Sequence, residues 1–137
     1  MHYYVVLDTN VLVSAMLRFQ SVPGQILSEV MLGKLTPILN EEILDEYKEV
    51  LARPKFKFNQ DLINIVIDEI VNKSIFVEPF PTKEVFPDPK DIIFYEVVVS
   101  GRMEFDTYLV TGNIKHFPVK AFVVTPREML DIIQNNQ

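Results

Sequence analysis

The sequence predicts an α/β fold in which about five parallel strands are sandwiched by helices. Short apolar runs rich in β-branched residues alternate along the chain with longer segments of helical periodicity. The first run, Tyr3 to Leu7, is apolar throughout, as suits a strand buried on both faces in the middle of a parallel sheet. That run ends on an acid, Asp8, instead of a turn residue. The acid would stand at the carboxyl edge of the sheet, where open α/β folds place their ligands.

The elements follow in order. Thr9 and Asn10 suit the turn into a helix, because both side chains cap orphan N–H groups, and Val11 to Leu17 reads as that helix. A second helix covers Gly24 to Leu32, opening near Pro23 and stopping at Gly33. Thr36 to Leu39 is a short strand, where proline at 37 is tolerable only near the start. Asn40 caps a helix from Glu41 to Ala52, which Pro54 ends. Asp61 to Asn72 has apolar residues at 62, 63, 66, 67, 70 and 71, the stripe of an amphipathic helix. Ile75 to Val77 is the third strand. Glu78 to Lys90, with prolines at 79, 81, 87 and 89, is a loop.

Asp91 to Gly101 is rich in β-branched residues and by propensity alone would be a strand. Asp91 is nevertheless a good N-cap, Glu96 interrupts the run, and Gly101 is a natural helix stop. A crossover helix is also what the alternation requires here, so the expectation is a helix. Tyr108 to Thr111 and Phe122 to Val124 are the remaining strands. Pro126 to Gln134 is a closing helix opened by Thr125-Pro126.

With 137 residues the chain is expected to be a single domain over 1–137, without repeats or low-complexity stretches. No apolar run reaches the ~18 residues of a membrane span. The start lacks the basic run and small-residue cleavage site of a secretory leader. There is no cysteine, which excludes disulfides, thiolate metal sites and cysteine nucleophiles. The expectation is a soluble, cytoplasmic protein. A net charge of −6 argues against a general nucleic-acid coat protein. It leaves room for a nuclease whose acids gather in one metal pocket, since bound divalent cations reverse the local field.

Four positions at strand ends or helix starts hold oxygen ligands suited to hard cations: Asp8, Glu46, Asp91 and Asn113. Asp8 and Asn113 each closely follow an apolar strand and would share one sheet edge. On a helical wheel Ile43, Leu44, Tyr47, Val50 and Leu51 form the apolar arc, and Glu46 borders it. Glu42 and Glu49 stand further out on that flank, with Asp45 and Lys48 on the solvent side. A solvated helix acid is an equal reading of Glu46. Asp91 also reads as a helix N-cap, and Asp88 as the first residue of an Asp-Pro turn. His116, before Phe117-Pro118, reads as a loop residue. Arg53, Lys55 and Lys57, interleaved with Phe56 and Phe58, have the pattern of a phosphate-binding and base-stacking strip. The plainer account, a basic helix end complementing the dipole and then a partly buried loop, is the one expected. Two histidines, one at position 2, and no nucleophile elbow make a serine hydrolase a poor fit. Scattered glycines exclude a phosphate-cradling loop.

Taken together, Val6-Leu7-Asp8-Thr9-Asn10-Val11-Leu12, the stretch from Glu42 to Phe56, Asp88-Pro89-Lys90-Asp91, and Asp106 to Asn113 resemble the PIN domain. More closely they resemble PIN-family toxin components of toxin–antitoxin systems. The similarity runs nearly end to end, through Val124-Thr125-Pro126-Arg127-Glu128. The resemblance implies a three-layer α/β/α sandwich and a ribonuclease that depends on Mg²⁺ or Mn²⁺. By position, Asp8 matches the first family acid, Glu46 the helix acid, and Asp91 the acid opening the later helix. The fourth acid of the pattern falls at Asn113, an amide that ligates through oxygen but brings no charge. Asp106 and Asp88 are the nearby acids that could compensate. The implied partners are single-stranded or structured RNA, an antitoxin covering the acidic pocket with a basic side chain between Asp8 and Asp91, and a second copy of the chain; no membrane is expected. A catalytically weak PIN-fold module that binds metal, RNA or protein is the alternative. A phosphatase with Asp8 as nucleophile is weaker, because the acid it usually wants two positions later is Asn10.

Overall fold

In this computed structural model, which describes residues 1–135, five strands form one parallel sheet. They are β1 (Tyr3–Leu7), β2 (Leu35–Leu39), β3 (Ile75–Phe76), β4 (Thr107–Val110) and β5 (Val123–Val124), ordered β3-β2-β1-β4-β5. The helices are α1 (Thr9–Leu17), α2 (Val22–Met31), α3 (Glu41–Leu51), α4 (Gln60–Lys73), α5 (Ile92–Gly101) and α6 (Pro126–Asn135). The steps from β1 to β2 and from β2 to β3 run one way across the sheet. Right-handed crossovers therefore place their helices on one face, which α2, α4 and α6 cover. The step from β3 to β4 runs back across β2 and β1, so α5 lies on the opposite face, against β1, β2 and β4. The result is the three-layer sandwich. Helix α3 touches both α1 and α5 and closes the gap between the layers.

Val5, Val6 and Leu7 are fully enclosed, which accounts for a first strand without a polar face. Helix α5 explains its own ambiguous composition. Ile93, Phe94, Tyr95, Val97 and Val98 are all buried, so the segment needs apolar residues nearly all round. Its polar residues have partners in the proline loop: Thr82 N donates to Glu96 Oε2 (2.7 Å) and Phe80 N to Ser100 Oγ (3.2 Å). Pro37 sits in mid-strand, not near its start. It is accommodated because β3 pairs with β2 only from Ile38, leaving β1 as the neighbour beside Pro37.

The helix ends follow the expected chemistry with small shifts. Ile43 N donates to Asn40 Oδ1 (2.9 Å), and α2 opens on Ser21 and stops at Gly33, whose φ of 80° is the left-handed turn that ends it. Thr125 and Glu128 exchange hydrogen bonds as a capping box at α6. One expectation is corrected. Helix α1 begins at Thr9, so Asp8 occupies the N-cap position and its backbone carbonyl accepts from Val11 and Leu12. Among the described residues no helix is long and apolar enough to cross a membrane.

Candidate active site

The strand order reverses between β1 and β4, and the chemistry-bearing residues gather where these two strands end. Asp8 N donates to Val110 O (3.0 Å), which continues the β1–β4 pairing to the acid itself. A cleft of about 480 Å³ opens there, with Asp8, Asn10, Glu46, Asp88 and Asp91 among the residues lining it. Asp8 comes from the end of β1, Glu46 from α3, and Asp91 from the last residue of a 3₁₀ turn (Pro89–Asp91) leading into α5.

Each of these acids is held or left free in a distinct way. Thr111 Oγ1, fully buried, donates to Asp8 Oδ2 (2.7 Å) and accepts from Asn113 N (3.0 Å). Thr9 Oγ1 donates to Glu46 Oε2. Tyr47, beside Glu46 in sequence and almost wholly buried, donates its hydroxyl to Leu7 O (2.5 Å), the carbonyl directly before Asp8. Asp91 makes no capping bond with its side chain. Its Oδ2 is buried without a hydrogen-bond partner among the described residues, although His116 Nδ1 stands 3.4 Å away. The N-cap account of Asp91 therefore does not describe its carboxylate. Asp88 does serve its turn, accepting from Lys90 N (3.0 Å).

The electrostatics express this crowding. Burial pushes the Asp8 carboxyl above its ordinary value, against the lowering effects of the Thr111 hydroxyl, the Asn10 and Thr9 amides and His116. Asp91 is also raised, first by burial, then by the charges of Asp8 and Asp88, with His116 opposing. Tyr47 is held well above the ordinary phenol range by burial and then by the same two acids, Asp8 and Glu46. Asp91 thus senses the charge of Asp8 across one cleft.

The donor set is entirely oxygen, which suits Mg²⁺ or Mn²⁺. A buried carboxylate oxygen with only the His116 ring nearby, Asp91 Oδ2, is the kind of group a cation satisfies. Among the described residues no three acidic or histidine side chains stand ready to hold a metal ion. Magnesium, however, keeps several waters and takes one or two carboxylates directly, so Asp8 and Asp91 with Glu46 in the same cleft fit such an ion.

Asp8, Glu46 and Asp91 line one cleft; Asn113 is exposed, does not line it, and contributes its backbone amide to Thr111. Asp106 lies before β4, at the other end of that strand, near Arg102 (3.9 Å). Asp45 is exposed, as expected, and also lines the cleft. The cleft takes in more of α3 than the inward arc alone, including Glu49. Sequence reasoning missed Thr9, Tyr47 and Thr111 as supporting groups, and it left His116 in a loop. A Thr directly after the first acid, and one two residues before Asn113, were the available signals.

A profile of the PIN domain, a family whose members are generally nucleases, matches residues 4–115. No curated protein and no solved structure matches the chain.

Proposed function

The chain belongs to the PIN domain family; from that premise we propose that it is a metal-dependent ribonuclease working in the cytoplasm. The observation that carries this reading is the meeting of Asp8, Glu46 and Asp91 in one cleft at the topological switch point. Asp8 and Asp91 would hold the ion, with Glu46 beside them; Asn113 stands outside the cleft and serves through its backbone amide to Thr111. When bound, a divalent cation supplies a water of lowered pKa and stabilises the leaving oxygen of a phosphodiester. The chain's own residues prepare the site. Thr111 turns Asp8 by fixing one carboxylate oxygen, which leaves the other for the cleft. Thr9 holds Glu46, and Tyr47 pins the backbone immediately before Asp8. Purified protein should cleave single-stranded RNA with Mg²⁺ or Mn²⁺ and not in EDTA.

The finer reading is the toxin of a toxin–antitoxin pair, supported by the resemblance of its motifs to that group. Its antitoxin would cover the cleft with a basic side chain between Asp8 and Asp91, and the toxin would form homodimers. Rescue of growth by the neighbouring open reading frame tests this. A second reading, a non-catalytic PIN-fold module, is favoured by one observation: no three acids stand ready to grip an ion among the described residues. Metal binding by calorimetry without cleavage of any RNA would select it.

A further inference from the structure

We propose that Lys55 and Lys57, mounted on the stacked pair Phe56–Phe58, form a track that holds single-stranded RNA where it leaves the acidic cleft. This rests on the ribonuclease reading and names how its substrate is gripped. The expected partly buried loop is present, with Phe56 and Phe58 packed against the core, but a basic helix end does not account for Lys55 and Lys57. Helix α3 ends at Leu51 and has its own last-turn base, Lys48. Arg53, which lines the cleft, is bound to Glu49 through two carboxylate contacts (3.1 and 3.2 Å). Lys55 and Lys57 lie beyond that helix, both exposed, and neither makes an ion pair among the described residues. They follow Arg53, a residue of the cleft lining, by two and four positions.

The local backbone and one ring contact give the segment a defined shape. Lys57 has φ 58°, the only left-handed residue besides glycine among those described. That conformation costs a residue with a Cβ about 1–2 kcal/mol, and such strain persists where the surroundings impose it. Here it folds Phe56 back onto Phe58, with ring centroids 5.8 Å apart and planes at 21°. Lys55 Nζ lies 5.1 Å from the Phe56 ring centroid, so the cation is positioned over an aromatic face without an acid to neutralise it. Both rings pack against the hydrophobic core on one side and stay partly exposed on the other. Cations spaced along a backbone turn, with aromatic flanks, are what a single strand requires: phosphates meet the lysines and a base lies against a ring. A duplex would hide its bases from that flank.

The test uses full-length protein carrying Asp8→Asn, so that RNA is bound and not cut. Binding of a fluorescein-labelled twelve-uridine RNA and of an RNA duplex is measured over a salt series by anisotropy, with and without Lys55→Gln/Lys57→Gln. The track predicts tighter binding of the single strand than of the duplex. The double substitution should weaken it about tenfold and make the log–log salt slope shallower by about 1.4, two phosphate contacts' worth. On an otherwise wild-type background, cleavage of a dinucleotide that spans only the cleft should change less than about twofold, since the lysines lie outside the chemistry. Equal affinity and slope with and without the lysines, or no binding of the single strand by the parent, overturns the track. Lysine-dependent binding with no cleavage by wild type leaves the track standing and removes the ribonuclease; cleavage without lysine-dependent binding does the reverse. Unchanged thermal unfolding verifies that the variants are folded.

Discussion

The hydroxyl of Thr111 donates to Asp8 Oδ2 across 2.7 Å while accepting from Asn113 N, and the three groups tie the carboxyl end of β4 to that of β1. The bond spans 103 positions in sequence and is wholly buried. It fixes one face of the acid at the centre of the cleft and is the chief influence opposing the rise that burial imposes on that carboxyl.

Thr111→Val keeps the shape and removes the donor, leaving a buried carboxylate oxygen and an amide unpaired. It should lower stability by about 1–3 kcal/mol in urea denaturation, whereas Thr111→Ser, which keeps the hydroxyl, should stay within about 1 kcal/mol.

The pH dependence follows from the raised carboxyls of Asp8 and Asp91, whose ordinary value is 3.8. A carboxyl raised by folding favours the native state while protonated, and that contribution is lost as pH rises through its folded value. In EDTA, therefore, Asp8→Asn should unfold at a higher temperature than wild type, by about 2–4 °C per kcal/mol relieved. The gap should widen as pH rises above about 4, the ordinary carboxyl value. Millimolar Mg²⁺ should stabilise wild type at neutral pH and leave Asp8→Asn much less affected. Differential scanning fluorimetry across that range checks both signs.

Tyr47→Phe removes the hydroxyl that holds Leu7 O. A loss of about 1–2 kcal/mol is expected, together with weaker Mg²⁺ binding by calorimetry, because the backbone carrying Asp8 loses its anchor. Unaltered metal affinity would confine Tyr47 to the core.

Gly24 has no room for a side chain. An ideal Cβ there would lie 1.9 Å from Phe19 O, a backbone atom that cannot step aside alone. Gly24→Ala should destabilise by more than about 2 kcal/mol, measured as the midpoint shift in urea.

The strands and helices were legible because burial left its pattern in them, as in the unbroken apolar run of β1. For α5 the pattern failed, since a helix enclosed nearly all round has the composition of a strand; Glu96 and Gly101 carried the correct information. Pro37 was misread as a strand-start residue because the shortness of β3 cannot be seen locally. In the site, the wheel put Glu46 at the border of the apolar arc but left a solvated acid an equal reading, because one helix's geometry does not say what stands across from it. Thr9, Tyr47 and Thr111 act through hydrogen bonds to partners 37, 40 and 103 residues away, which no local periodicity encodes. His116 lies in a short turn that reads as a loop, and only the fold brings it to Asp91.

Cleavage of single-stranded RNA by highly purified wild type and Asp8→Asn, each with Mg²⁺, Mn²⁺ or EDTA, tests the central claim most directly. The account predicts cleavage by wild type with either metal, none in EDTA, and a loss of at least about a hundredfold on removing the Asp8 charge. Equal activity of the two proteins, or cleavage by wild type that survives EDTA, would contradict it.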